Sequence, residues 1–171
     1  MTAFRVEAGK LTVQARSRVH DTTTVWDKIT GEVEADADTL AMAGARATFA
    51  VDMTSFDAGD WLRNRKLKKD FDMDAHPTAI FELRAVRDVV RDGAKFTATA
   101  EGVLRWRGKE VVLTLAGRGT LDDVKVEASA TFELDIKKLG LSAPRFLMIK
   151  MEDEVTVSVV VSGTVRGSLE R

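Results

Sequence analysis

The side chains that most often carry chemistry are few in this 171-residue chain. Its two histidines, His20 and His76, are far apart, and no carboxylate is spaced from either as in a zinc-protease or calcium-loop motif. Ser17 and Ser55 lack the Gly-x-Ser-x-Gly context of a hydrolase nucleophile. The absence of cysteine excludes disulfides, thiolate metal sites and cysteine nucleophiles. We therefore predict no catalytic residue, no metal site and no cofactor, and a protein that is not an enzyme.

The overall charge is nearly balanced. The chain has 26 Lys and Arg against 27 Asp and Glu, which gives a formal net charge of −1. Such a balance provides no general attraction for nucleic acid or for an anionic membrane, so any charge-driven binding must be local. No apolar run reaches the length of a secretory signal or the roughly 18 residues of a membrane span. We predict a cytoplasmic protein without nucleic-acid partners or stable membrane insertion.

Most of the sequence alternates between apolar and polar residues, which is typical of half-buried β-strands. Val126, Phe132 and Leu134 fall on one face of such a run, whereas Lys125 and Glu133 fall on the other. Turn residues separate the runs at short intervals, and this pattern favours an antiparallel sheet. The sequence contains about eight runs, the number at which a closed barrel can hold one small ligand.

One segment departs from this alternation. Residues 60–71 are good helix formers, Asp57 or Asp60 can cap the start, and Pro77 limits the far end. No linker divides the chain, and its composition is that of one globular unit. We therefore predict a single all-β domain over residues 1–171: an eight-stranded antiparallel closed barrel with one short helix inserted around residues 60–71.

Small side chains occupy the middle of the predicted inner faces. Ala98, Ala100 and Gly102 lie between bulkier residues on one run, and Ala128 and Ala130 repeat this on another. An empty cavity costs on the order of 24 cal/mol per Å³, so we expect a hydrophobic molecule to fill the space. The predicted pore-lining residues are Phe49, Val51, Met53, Phe81, Phe96, Ala98, Ala100, Gly102, Leu104, Trp106, Ala128, Ala130, Phe132, Leu134 and Phe146.

Three groups of residues follow one another along nearly the whole chain. They are residues 15–20 with Gly31; Val51-Asp52-Met53 with Ser55, Asp57, Arg65, Phe71-Asp72, His76-Pro77 and Phe81; and Leu139-Gly140-Leu141 with residues 144–147 and Asp153-Glu154-Val155. Together they resemble the YceI-like family of lipid-binding barrels. The resemblance implies an extended lipocalin-like barrel with a helix near one end. It also implies that a polyisoprenoid chain or an isoprenoid quinone is held in the pore for transport or sequestration.

Alternatives remain open at this point. The small residues could instead admit bulky side chains from the opposite wall, and the protein would then be a self-filled interaction module with a protein partner. The basic run around Arg65 could attract a phosphate headgroup or an anionic membrane, although a solvated helix face with local ion pairs is favoured. His20 beside Asp21 could orient a headgroup at the barrel mouth, although a surface imidazole is favoured. The sequence also leaves open whether two barrels pair as a homodimer.

Overall fold

Antiparallel strands account for most of the structure. This computed structural model describes residues 2–35, 45–143, 145–146 and 149–166. The strands among them are β1 (Thr2–Ala15), β2 (Thr22–Trp26), β3 (Ile29–Ala35), β4 (Arg46–Asp52), β5 (Phe56–Asp57), β6 (Thr78–Asp92), β7 (Lys95–Trp106), β8 (Lys109–Leu121), β9 (Lys125–Asp135), β10 (Arg145–Phe146), β11 (Ile149–Lys150) and β12 (Glu154–Val165).

Eight strand positions close into a barrel. The order around the ring is β12, β9, β8, β7, β6, β4, β3 and β1, and β1 pairs again with β12. This closing ladder runs from Phe4 opposite Val165 to Ala15 opposite Val155. The predicted all-β, eight-stranded closed barrel is therefore confirmed.

One position of the ring is shared by two strands. β3 pairs with the first part of β1, where Thr2 lies opposite Ala35, and β2 pairs with the last part, where Ala15 lies opposite Thr22. The short strand β5 extends the sheet beyond β2. β10 and β11 pair only with each other among the described residues.

The predicted helix is also present, as α1 (Trp61–Asp70). Asp60 caps it, because its side chain accepts a hydrogen bond from the Arg63 backbone N–H at 2.9 Å. Leu67 is the buried residue of the helix. A 3₁₀-helix over Ile136–Leu139 follows β9 and ends at Gly140, whose φ of 75° suits glycine.

Several of the most deeply buried side chains lie at the two ends of the barrel, and Val6 and Ile29 form a separate cluster with Val161. At one end, formed by α1, the 3₁₀-helix and the β7–β8 hairpin, Met73 and Met151 are 0% and 1% exposed. At the other end, formed by the β6–β7 and β8–β9 hairpins, Phe4 and Leu121 are 0% and 1% exposed. We call these the helix-bearing end and the opposite end.

Candidate ligand-binding cavity

An apolar cavity of about 330 Å³ lies inside the barrel between the two ends. This volume is at the lower limit of the range typical of small-molecule sites. Alternation along the strands points one side chain in every two toward it, so all sides of the ring contribute to the wall. The predicted residues found along the wall are Phe49, Val51, Met53, Phe81, Phe96, Ala98, Ala100, Leu104, Trp106, Ala128, Ala130, Phe132 and Leu134.

The inward side chains in the middle of the barrel do not fill it. Phe49, Phe81, Ala100, Ala130 and Phe132 are only half-buried although they point inward. Their inner sides face empty space, whereas residues at the two ends face packed protein. The interior is therefore dense at its ends and hollow between them.

The chemistry of the wall is that of a hydrocarbon surface. Of the described lining residues, only Arg118 and Ser129 carry a charged or hydroxyl group, and they lie opposite each other on β8 and β9. The indole N–H groups of Trp26 and Trp106 donate to the backbone oxygens of Met53 and His76, at 3.2 and 2.8 Å. A guest in this space would meet mainly apolar contacts.

Gly102 is absent from the wall although alternation places it on the inner face. The Phe81 ring covers it: a Cβ added at Gly102 would lie 2.3 Å from Phe81 Cζ and 2.6 Å from the Glu82 carbonyl oxygen. The missing side chain at Gly102 therefore makes room for the Phe81 ring and does not enlarge the cavity. Gly117 on β8 does line the cavity, and there an added Cβ would meet no atom closer than 3.8 Å.

A large part of the wall consists of residues that were not predicted from the sequence. Leu11 and Val13 on β1, Leu113 and Leu115 on β8, and alternate valines on β12 from Val155 to Val161 all line the cavity. The alternation of valines along β12 was a usable signal. The contribution of β1 was harder to recognise, because its alternation is interrupted by a register shift between Val6 and Ala8.

One predicted lining residue cannot be placed. The side chain of Phe146 lies outside the described part of the structure, as do Pro144 and Leu147 of the same motif.

The polar candidates serve turns and do not line the cavity. The Ser17 hydroxyl donates to the His20 carbonyl oxygen at 2.6 Å and accepts from the His20 N–H at 3.0 Å, which closes the turn between β1 and β2. The Ser55 hydroxyl donates to the Asp52 carbonyl oxygen at 2.7 Å. The Thr54 hydroxyl and N–H donate to the Asp52 carboxylate and hold the pKa of that carboxyl below its ordinary value.

Charged groups elsewhere pair on the outer surface. The Thr156 hydroxyl donates a hydrogen bond to the Glu133 carboxylate and lowers its pKa, and the nearby Arg16 guanidinium lowers this pKa by a smaller amount. Within the residues described, no group of three or more His, Asp or Glu side chains is placed to hold a metal ion. None of the helices described has the length and apolar character needed to cross a bilayer.

A second, outer groove of about 410 Å³ lies across β3 and β4. Its lining includes Thr30, Glu32, Arg46 and Thr48, so it is open and partly polar. It has neither the apolar wall nor the enclosure of the inner cavity.

The chain is similar to one protein family in sequence and to several solved structures in fold. The sequence matches the family described as the YceI-like domain over residues 4–162. Among curated proteins, none matches it in sequence.

Solved structures share this architecture at low sequence identity. Burkholderia cenocepacia BcnA is 21% identical with a TM-score of 0.72, over 90% of this chain and 95% of BcnA. A polyisoprenoid binding domain from Saccharophagus degradans is 15% identical with a TM-score of 0.78, over 97% of this chain and 100% of that one. The Campylobacter jejuni YCEI protein is 12% identical with a TM-score of 0.68, over 88% of this chain and 89% of that one. These likenesses show the fold.

Proposed function

The chain belongs to the YceI-like domain family, and from this premise we propose that its barrel binds a long apolar lipid of the polyisoprenoid type and performs no reaction on it. The single observation that carries the proposal is the apolar cavity of about 330 Å³ that the protein's own side chains leave unfilled. We propose that the predicted lining residues found along the wall, together with Phe146, contact the lipid.

Leaving this space empty would destabilise the folded protein. At about 24 cal/mol per Å³, a void of this size costs on the order of 8 kcal/mol. That is comparable with the whole stability of an ordinary domain, about 5–15 kcal/mol. A hydrocarbon guest would offset the cost through dispersion contacts, and each buried CH₂ would contribute about 0.8 kcal/mol of transfer free energy.

The shape and chemistry of the wall favour a chain over a compact polar ligand. The cavity extends from Trp106 near the helix-bearing end to Leu121 near the opposite end. Along this length it offers apolar surface with few hydrogen-bonding groups, so selection would depend on chain length and branching. The related Saccharophagus degradans structure is a polyisoprenoid binding domain, which supports the same ligand class here. An isoprenoid quinone, with one apolar chain, belongs to this class, and the role would be transport or sequestration.

The alternative of a self-filled barrel with a protein partner requires bulky groups in the middle of the interior. That region instead carries Ala98, Ala100, Ala128 and Ala130, and the space beside them is empty. The lipid-binding interpretation is therefore favoured.

Extraction of purified protein with organic solvent, followed by mass spectrometry, tests the proposal. We expect a polyisoprenoid-type lipid from the wild-type protein and much less from Ala100→Trp, because the indole would occupy the cavity. Ala116→Trp is the matched control, since Ala116 lies on the exposed outer face of the adjacent strand β8. Equal lipid in Ala100→Trp and Ala116→Trp, with both folded by circular dichroism, would contradict the proposed site. Lipid-free wild-type protein that also takes up no added polyisoprenoid would contradict the function.

A further inference from the structure

We propose that the outward face of helix α1 docks the helix-bearing end of the barrel on an anionic lipid bilayer. The docking itself is independent of what the cavity holds. Its consequence, that lipid enters from a membrane at this end, rests on the proposed function.

The first observation is an exposed apolar pair at the start of the helix. Trp61 and Leu62 are adjacent and are 67% and 62% exposed. The other two tryptophans, Trp26 and Trp106, are 5% and 7% exposed. An exposed Trp beside an exposed Leu is costly in water, but both are favoured at a membrane interface, where the indole sits at headgroup level.

The second observation is that cations share the face of this pair. Trp61, Arg65 and Lys69 are spaced four residues apart, so they form one row along the helix, with Leu62 beside it. All four are exposed, whereas Leu67 on the other side is buried. On one exposed face, the indole and the leucine can therefore reach headgroup level while the two cations contact anionic phosphates.

The third observation concerns which charges are already paired. Arg63 pairs with Asp60 at 3.7 Å, Lys66 with Asp70 at 2.9 Å, and Lys68 with Asp74 at 3.5 Å. Most of the acidic residues around the helix are therefore neutralised by cations at its sides and ends.

By contrast, Arg65 and Lys69 make no ion pair with any residue that the structure describes. Asp57, which precedes the helix, and Asp72, which follows it, add two negative charges near its ends, and the Asp57 carboxylate accepts from the Gly59 N–H at 2.9 Å. The row on the outward face itself carries the positive charges of Arg65 and Lys69 and no acidic residue. This local charge complements an anionic leaflet.

The fourth observation is that the helix is fixed to the barrel. The Asn64 side-chain oxygen accepts from the Ala58 N–H at 2.5 Å, and Leu67 packs inward. Phe71, directly after the helix, lines the cavity. A bilayer bound by the outward face would therefore lie next to the end of the cavity that Phe71 borders.

The test is flotation of the full chain with vesicles. We expect binding to vesicles of phosphatidylcholine and phosphatidylglycerol and little binding to phosphatidylcholine alone. The double variant Arg65→Glu with Lys69→Glu should weaken binding at least about tenfold, because both cations become repulsive. The control is Lys10→Glu with Lys95→Glu, which makes the same change in net charge at exposed sites on the wall and at the opposite end.

A second measurement reports the apolar pair. Anionic vesicles should shift the tryptophan emission of the wild-type protein to shorter wavelength, because only Trp61 is exposed, and Trp61→Phe should lose the shift. Absence of binding to the anionic vesicles, or equal binding by Arg65→Glu/Lys69→Glu and the control pair, would overturn the proposal. Ala100→Trp should float like the wild-type protein, so a failure of docking and a failure of lipid binding give different results.

Discussion

Two glycines on neighbouring strands show how single residues shape the cavity. The Phe81 ring covers Gly102, whereas Gly117 lines the cavity and an added Cβ there would meet no atom closer than 3.8 Å. Both lie on the inner face, so alternation alone gives them the same role. The difference depends on where one aromatic ring on another strand lies, which a single sequence does not encode locally.

This contrast gives a prediction about stability. Gly102→Ala should lower the free energy of unfolding by about 1–3 kcal/mol, because the new methyl group overlaps the Phe81 ring and the Glu82 carbonyl oxygen. Gly117→Ala should not lower it and should raise it by up to about 1 kcal/mol, because the added methyl group would meet no atom closer than 3.8 Å and alanine restricts the unfolded chain. Urea unfolding followed by circular dichroism measures both. Similar values for the two variants would mean that the ring does not lie over Gly102.

The hydrogen bonds made by Ser17 and Ser55 could not be assigned from the sequence either. The sequence indicated that Ser17, Ser55 and His20 carry no catalytic motif, but not that the two serines close turns. Their hydrogen bonds go to the backbone of residues within three positions, and many Ser residues in loops make such bonds.

At the scale of elements, long periodic segments could be predicted and short ones could not. The helix was predicted at residues 60–71 and spans Trp61–Asp70, because its start has a capping residue and its composition is distinct. The two-residue strands β5, β10 and β11 left no comparable signal, and the 3₁₀-helix over Ile136–Leu139, although flanked by Asp135 and Gly140, is only four residues long. Segments this short depend on tertiary contacts more than on their own propensity.

The helix cap supplies a prediction at this scale. Asp60→Ala should lower the free energy of unfolding by about 1 kcal/mol, because the Arg63 N–H loses its acceptor. Asp60→Asn keeps the acceptor and should lose little, since the exposed Arg63 ion pair contributes little. Thermal unfolding of both variants is the measurement. Equal losses would show that the ion pair, and not the cap, stabilises this turn.

At the scale of the whole molecule, closure and the hollow interior followed from two simple features of the sequence. Alternation over about eight runs predicted the ring, and the alanines at mid-strand predicted the unfilled space. The split of one ring position between β2 and β3 was not predicted, because it depends on how two short strands meet a single long partner. The assignment of residues 1–171 to a single domain stays a prediction.

Stability should depend on the guest. A ligand present at 100 times its Kd stabilises a protein by about 2.7 kcal/mol, which corresponds to a rise in Tm of roughly 5–10 °C for a chain of this size. Protein refolded after removal of lipid should therefore melt lower than protein as purified, and added polyisoprenoid should restore the difference. Ala100→Trp, with its cavity occupied, should show a much smaller change. Identical melting of stripped and lipid-supplemented wild-type protein would contradict a stabilising guest.

The ladder between β1 and β12 has a consequence for how the molecule is made. Among the described strands these two are the most widely separated in sequence, so the ring is completed by its most distant contacts, and such topologies fold slowly. While the ribosome is still translating β12, the earlier strands can form only an open, curved sheet whose apolar inner face is exposed to solvent. The barrel can close only after β12 has been translated, and the open sheet that precedes closure is the stage most exposed to aggregation.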